Sequence, residues 1–190
     1  EDLKGLARGF AFQLIEGFGI LPRLAVAKDV KALDQDARAT LRKHGIRFGQ
    51  FTVFMPLLLK PAPTRLRLLL WSLWQKLESF PSSPPPGLVT IPADPHGASG
   101  SDAMAGYKAA GDRAIRIDML ERLADMIRAE DTRSGFEAKA DMLSITGMTL
   151  EQFANLMQGL GYRAEKGERE KVKAVPPNEQ QAEAEREGKD

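Results

Sequence analysis

A proline-rich segment near the middle of the chain constrains the fold more than any other feature of the sequence. It reads Pro81-Ser82-Ser83-Pro84-Pro85-Pro86-Gly87, and it cannot be helical because proline fixes φ and donates no backbone hydrogen bond. Loop-like composition continues through residues 81–101, where only residues 88–92 have the pattern of a short strand. The segment therefore predicts a linker over residues 81–101 between two ordered units, residues 1–80 and 102–163, with a tail over residues 164–190.

The rest of the composition is that of a small globular protein. With 190 residues, 43% of them apolar, the chain can form one ordinary domain or two small ones that share a packed seam. It has no cysteine, which excludes disulfides, thiolate metal sites and cysteine nucleophiles. Its two histidines, His44 and His96, are too few for a three-histidine zinc site.

Localisation is predicted from three features of the sequence. No apolar run reaches the roughly 18 to 20 residues of a membrane span. The amino terminus has neither an initiator methionine nor the charged and apolar regions of a signal peptide. We therefore expect a cytoplasmic protein without membrane contact, and a chain that is a piece of a longer polypeptide.

Apolar spacing in the first unit predicts three helices and a β element. The helices are expected over residues 3–18, over residues 24–43 with Gly45 as the C-terminal cap, and from a proline-containing connector at residues 60–64 to about Ser79. Residues 46–54 are rich in β-branched and aromatic side chains, which favours a strand or hairpin.

The second unit is predicted to mix a short strand with helices. A turn at Gly111-Asp112 lies within a strand-like stretch, residues 107–117, and Asp118 is placed to cap the following helix. Thr149 and Gln152 have the spacing of a capping box, and the charged tail is expected to be disordered. The predicted fold class is α+β and predominantly helical, a helical bundle with a small β element and a disordered charged tail.

Charge is distributed very unevenly along the chain. The formal net charge is only +1, yet residues 38–76 contain eight basic side chains and no aspartate or glutamate. A segment of one sign creates a positive field that attracts phosphate backbones. Seven of its basic side chains are the candidate nucleic-acid contacts: Arg38, Arg42, Lys43, Arg47, Lys60, Arg65 and Arg67.

Four of these side chains also have a structural interpretation. Arg42 and Arg47 could pair with Asp34 or Asp36, and Arg65 and Arg67 could be the solvated side of an apolar helix. The phenylalanines at positions 48, 51 and 54 could stack on unpaired bases or belong to the core. His44 fits a capping or surface position.

Sequence motifs of catalysis are missing from the chain. It contains no GxxxxGK[ST] phosphate-binding loop, no GxGxxG, no GxSxG nucleophile elbow and no HExxH. We therefore predict no catalytic, cofactor-binding or metal-binding residue in this chain.

Four segments, taken in order, resemble one protein family. They are residues 33–49, which include Arg42-Lys43-His44-Gly45-Ile46-Arg47-Phe48-Gly49, and residues 56–63, 113–124 and 153–163. The chain is similar over about residues 3–163 to the C-terminal accessory region of alphaproteobacterial ATP-dependent helicases. These are superfamily-two motors of the Suv type, related to the DEAD/DEAH group.

The resemblance implies a parent helicase whose ATP and Mg²⁺ are bound upstream, in two RecA-like domains. The expected function is thus a nucleic-acid-binding or bracing module. Its partners would be single-stranded RNA or DNA and the upstream RecA-like domains of the same polypeptide. Two alternatives stay open: a protein-interaction platform docking on the motor or the ribosome without nucleic-acid contact, and a stand-alone enzyme.

Overall fold

A computed structural model of the protein describes residues 3–168, and they form an α+β fold. The α+β class is confirmed, although the β part is larger than the single small element expected, because it forms two three-stranded antiparallel sheets. The helices are α1 (Gly5–Glu16), α2 (Ala27–Ala32), α3 (Gln35–Lys43), α4 (Pro61–Trp74), α5 (Ser101–Met104), α6 (Ile117–Arg128), α7 (Ala140–Thr146) and α8 (Leu150–Gly159). The strands are β1 (Ile20–Pro22), β2 (Arg47–Phe48), β3 (Thr52–Phe54), β4 (Thr90–Pro92), β5 (Tyr107–Ala110) and β6 (Arg113–Arg116).

The predicted helix over residues 24–43 is wrong, because the chain forms two helices there. Leu33 is extended (φ −67°, ψ 125°), and the Asp34 carboxylate accepts a 2.7 Å hydrogen bond from the backbone N–H of Ala37. Aspartate is a strong N-cap because it satisfies an orphan donor of the first turn. Asp34 therefore starts α3 as a separate helix, in spite of apolar spacing that continues through the break.

The first sheet has the strand order β1-β3-β2. Its central strand is buried, whereas Pro22 lies in the edge strand β1 opposite Thr52, where a missing N–H costs least. Helix α1 covers this unit with a face of side chains at three- and four-residue spacing. The buried residues of the cluster are Ala7, Phe10, Leu14, Val26, Val30, Leu33, Leu41, Ile46 and Val53.

Helix α4 is shorter than predicted. A 3₁₀ turn (Pro56–Leu59) leads into it, and it ends at Trp74 rather than near Ser79. Lys76 adopts φ 54°, a left-handed conformation that cannot continue a helix. Beyond it the chain enters the proline-rich segment without regular structure.

One strand of the second sheet, β4, lies within the predicted linker. Its order is β4-β6-β5, so the strand expected within residues 88–92 pairs with the hairpin of the second unit. The predicted turn at Gly111-Asp112 is confirmed as the connection between β5 and β6.

Helix starts in the second unit are confirmed in one case and corrected in another. Thr149 and Gln152 form the predicted capping box of α8. Asp118 is not the cap of α6, because the N-cap is Arg116, and Asp118 lies in the first turn with its carboxylate 2.6 Å from the Arg116 guanidinium. Helix α7 has no counterpart among the predicted elements.

The two units are joined by apolar contacts and not only by the segment that links them. Ile117 of α6 packs with Ile20 and Phe54 of the first sheet, and Met104 packs with Leu68 and Trp71 of α4. Within residues 3–168 no helix has the length and apolar character needed to span a membrane. The predicted disorder of the tail concerns residues 164–190, of which residues 169–190 lie outside the described part of the chain.

Candidate nucleic-acid interface

Three of the predicted cations lie together where α3 leads into β2. Arg42 and Lys43 are in the last turn of α3, and Arg47 is the first residue of β2. Between them Gly45 adopts φ 85°, a left-handed conformation that favours glycine and reverses the chain within a few residues. All three side chains are exposed, so this corner presents three positive charges to solvent.

Phe48 lies between the core and the Arg42 side chain of this corner. Its ring centroid lies 5.6 Å from that of the core residue Phe10, and the Arg42 guanidinium lies 5.8 Å above the Phe48 ring. A cation over an aromatic face is attracted by the ring quadrupole. The contact orients Arg42 and leaves its N–H donors at the surface.

The other two phenylalanines of the segment differ in burial. Phe54 is only 4% exposed, so it belongs to the core. Phe51 is partly buried and packs against the core of the second unit, just as partly buried Phe48 packs against the core of the first. Burial therefore decides against base stacking at Phe54.

Lys60 and Arg65 flank the start of α4. Both are exposed, and the first turn of this helix contains no acidic residue. The N-terminal end of a helix dipole is itself positive, so these cations add to a field that already favours anions.

The remaining two predicted contacts are structural arginines. Arg38 is half-buried and donates a 2.7 Å hydrogen bond to the Val30 carbonyl. Arg67 is 5% exposed and donates to the carbonyls of Met104 (2.8 Å) and Leu58 (2.7 Å). Burial lowers the pKa of Arg67 to about 10, which leaves it charged at neutral pH. The interpretation of Arg67 as a solvated side chain is wrong, and it is left out of the proposed surface.

The exposed cations have no acidic partner in the described residues. Within residues 3–168 none of Arg42, Lys43, Arg47, Lys60 and Arg65 belongs to an ion pair. The Asp34 carboxylate, considered above as a partner for Arg42 or Arg47, instead caps α3. We call these five exposed side chains, three where α3 leads into β2 and two at the start of α4, the basic surface.

The loop behind Arg47 is held by a carboxylate from the other unit. Glu121 of α6 accepts hydrogen bonds from the backbone N–H groups of Gln50 (2.5 Å), Phe51 (3.0 Å) and Thr52 (2.8 Å). Burial raises the pKa of Glu121, while these three hydrogen bonds act in the opposite direction. A side chain at Gly49 would overlap this carboxylate. The β2–β3 loop, which follows the strand that begins at Arg47, is thus fixed to α6.

An open groove beside Phe48 contains two cations that the distribution of charge along the sequence did not indicate. It has a volume of about 550 Å³ and is lined by Arg23 and Arg128 together with Leu24, Ala27 and residues 48–50. Arg128 is largely exposed and lies 3.0 Å from Asp125. Both arginines are outside residues 38–76 in sequence, so only the fold could place them beside Phe48.

Neither the metal-binding side chains of the described residues nor the comparisons with known proteins indicate a further site. The described residues contain no cluster of three or more histidine and acidic side chains suited to a metal ion. Comparison of the chain with protein-family models, with curated proteins and with solved structures gives no match. The resemblance to helicase C-terminal regions has no support from these comparisons and stays a prediction.

Proposed function

We propose that this chain is a cytoplasmic accessory module that holds single-stranded nucleic acid for the motor domains of an ATP-dependent helicase. The observation that carries the nucleic-acid part is the basic surface, five exposed cations without an acidic partner in residues 3–168. The helicase part is carried by the family resemblance alone, and it favours RNA over DNA.

The basic surface suits phosphate contacts better than base readout. Arginine presents a planar fork of donors that matches two phosphate oxygens, and lysine acts as a point charge. Such contacts neutralise phosphates and release counterions, so the affinity falls steeply with salt and depends little on sequence. The module would therefore bind a strand with similar affinity while different parts of its sequence move past the basic surface.

Charge reversal at one corner of the surface tests the proposal. The triple variant Arg42→Glu, Lys43→Glu and Arg47→Glu should bind every single-stranded RNA more weakly than the wild type, by a similar factor for unrelated sequences. The matched control reverses three exposed arginines elsewhere, Arg122, Arg133 and Arg163, and changes the net charge equally. Equal loss in both variants would show a general charge effect and contradict a localised site.

Folding is kept separate from binding in this test. Glutamate in the last turn of α3 opposes the helix dipole, so the neutral variant Arg42→Gln, Lys43→Gln and Arg47→Gln is measured beside it. We expect circular dichroism and the melting curve of the neutral variant to stay close to those of the wild type while its RNA affinity falls.

In this proposal the chain supplies binding and no hydrolysis. ATP and Mg²⁺ would be bound by RecA-like domains of the parent, because no phosphate-binding loop occurs in the sequence. We expect the purified chain to hydrolyse no ATP above the background of a mock preparation, with or without RNA. RNA-stimulated hydrolysis that scales with the amount of this chain would contradict the assignment.

A docking platform is the second candidate function. The observation in its favour is a row of exposed leucine and tryptophan side chains on α4, a feature that nucleic-acid binding does not need.

A further inference from the structure

One face of α4 presents a large apolar surface to solvent. Leu66, Leu69, Leu70, Leu73 and Trp74 are 57%, 43%, 48%, 58% and 76% exposed. These positions follow the i, i+3, i+4, i+7 spacing of a single helix face. Exposed apolar side chains scattered singly are normal on a protein surface, but a contiguous row marks an interaction site.

The opposite face of α4 is firmly built into the molecule. Leu68 and Trp71 are buried with Met104, and Arg67 donates hydrogen bonds to two backbone carbonyls. The helix therefore has a fixed orientation, and its exposed face is presented without conformational cost. A rigid face of this kind suits a partner that loses its own freedom on binding.

The terminal segments of this chain are poor candidates to cover the face. Residues 1–2 are acidic, and residues 169–190 contain only Val172 and Val175 as large apolar side chains. A helix that fills an apolar groove needs several large anchors at helical spacing.

Charge favours an acidic partner over a second copy of the chain as the occupant. The exposed Lys60 and Arg65 lie at one end of the face, and the exposed Lys76 lies just past the other, followed by the exposed Glu78. An antiparallel pair of α4 helices would bring the cationic end of one copy to an end of the other that carries one charge of each sign, so the pair gains little from charge. Acidic side chains on a partner would instead meet two cations at the start of α4, and complementary charge favours association.

We propose that the exposed face of α4 docks an amphipathic helix of a partner protein, with large apolar anchors flanked by acidic residues. This gives a surface and a partner class to the second candidate function, on which it rests, and it shares Lys60 and Arg65 with the basic surface. The apolar row supplies the contact area, and Lys60 and Arg65 select the charge of the partner.

A pair of peptides of opposite charge tests the proposal. Both are helical over about four turns with leucine at i, i+3, i+4 and i+7, and they differ only in having glutamate or lysine at the flanking positions. In low salt the glutamate peptide should bind the wild-type chain about tenfold more tightly than the lysine peptide.

Variants show whether the peptide uses this face. Leu69→Asp with Leu73→Asp should weaken the glutamate peptide about thirtyfold or more. The control is Leu150→Asp, because Leu150 is 59% exposed in the first turn of α8, where an acidic side chain is tolerated; it should leave binding unchanged. Milder Leu69→Ser is measured as well, in case two aspartates disturb α4.

The remaining outcomes each decide against the proposal. Equal binding of the two peptides would overturn the acidic partner. Self-association of the wild type that Leu69→Asp with Leu73→Asp abolishes would assign the face to a second copy, and binding to anionic lipid vesicles in preference to the peptide would assign it to a membrane. If neither peptide binds and the chain stays monomeric, docking at this face is wrong. RNA binding, measured on the same preparations, reports separately on the nucleic-acid function.

Discussion

At the scale of single residues, two arginines two positions apart on α4 have opposite surroundings. Arg65 is exposed without an ion pair in the described residues, whereas Arg67 is buried and bonded to the carbonyls of Met104 and Leu58. In a helix, two positions correspond to a rotation of about 200°, which carries a side chain from one face to the other. Their neighbouring positions in the sequence therefore say nothing about a shared role.

We expect Arg67→Met to destabilise the chain by about 2–4 kcal/mol, because the Met104 carbonyl loses its donor inside the protein and the Leu58 carbonyl keeps only the Thr64 hydroxyl. The matched variant Arg65→Met should change stability by less than about 0.5 kcal/mol while lowering RNA affinity. Urea unfolding and RNA titration of both variants check the pair. An Arg67→Met protein of wild-type stability would contradict the structural role assigned to this arginine.

Gly49 and Glu121 are coupled across the two units. Gly49→Ala should cost about 1–3 kcal/mol, because the new methyl group displaces the carboxylate that three backbone donors share. In a Glu121→Ala background the same change should cost little, since the obstacle is gone. A double-mutant cycle by urea unfolding measures this coupling, and strictly additive effects would show that the overlap is not the cause.

Sequence reasoning succeeded at Thr149, whose role is local, although the cap at Asp34 was missed and the one predicted at Asp118 was wrong. The capping box at Thr149 is visible in sequence because both partners lie within one turn. Glu121, in contrast, contacts backbone about 70 positions earlier, and nothing in its own neighbourhood indicates this. A separation of 37 positions in sequence likewise conceals the bond from Arg67 to Met104.

At the scale of elements, the break between α2 and α3 shows how a polar cap overrides apolar spacing. Leu33 and Leu41 both contribute to the core, so the apolar pattern runs on through the break. The cap decides the boundary, because Asp34 offers its carboxylate to the backbone of the following turn.

We expect Asp34→Ala to destabilise the chain by about 1 kcal/mol, the usual cost of losing an N-cap side chain. Asp34→Asn should cost less, because asparagine caps helices nearly as well. Thermal unfolding of the two variants checks the order. Equal losses in Asp34→Asn and Asp34→Ala would mean that the charge, and not the cap, stabilises this junction.

Long helices with one apolar and one polar face were predictable from the sequence, whereas the shortest helices were not. Helices α1, α6 and α8 are long and have regular apolar faces. Helix α5 has four residues and α7 has seven, too few turns for a spacing pattern to stand out. Strand β4 was recognised by composition, yet its pairing with β6 depends on a contact that sequence alone does not reveal.

At the scale of the whole molecule, the uneven distribution of charge was visible in the sequence, and the fold showed which of the cations are exposed. Residues 38–76 were predicted to carry the candidate site, and five of the seven named cations are exposed. Arg38 and Arg67 turned out to bond to backbone carbonyls. Arg23 lies near Phe48 within the first unit, whereas Arg128 comes close to it only through the packing of the two units.

The salt dependence of RNA binding tests the central claim most directly. For the wild type, the logarithm of the binding constant for a labelled single-stranded RNA should fall linearly with the logarithm of salt concentration. Five phosphate contacts predict a slope of about −3.5, and the variant Arg42→Gln, Lys43→Gln and Arg47→Gln should flatten it by about 2. A slope near zero, or one that the triple variant leaves unchanged, would contradict the account.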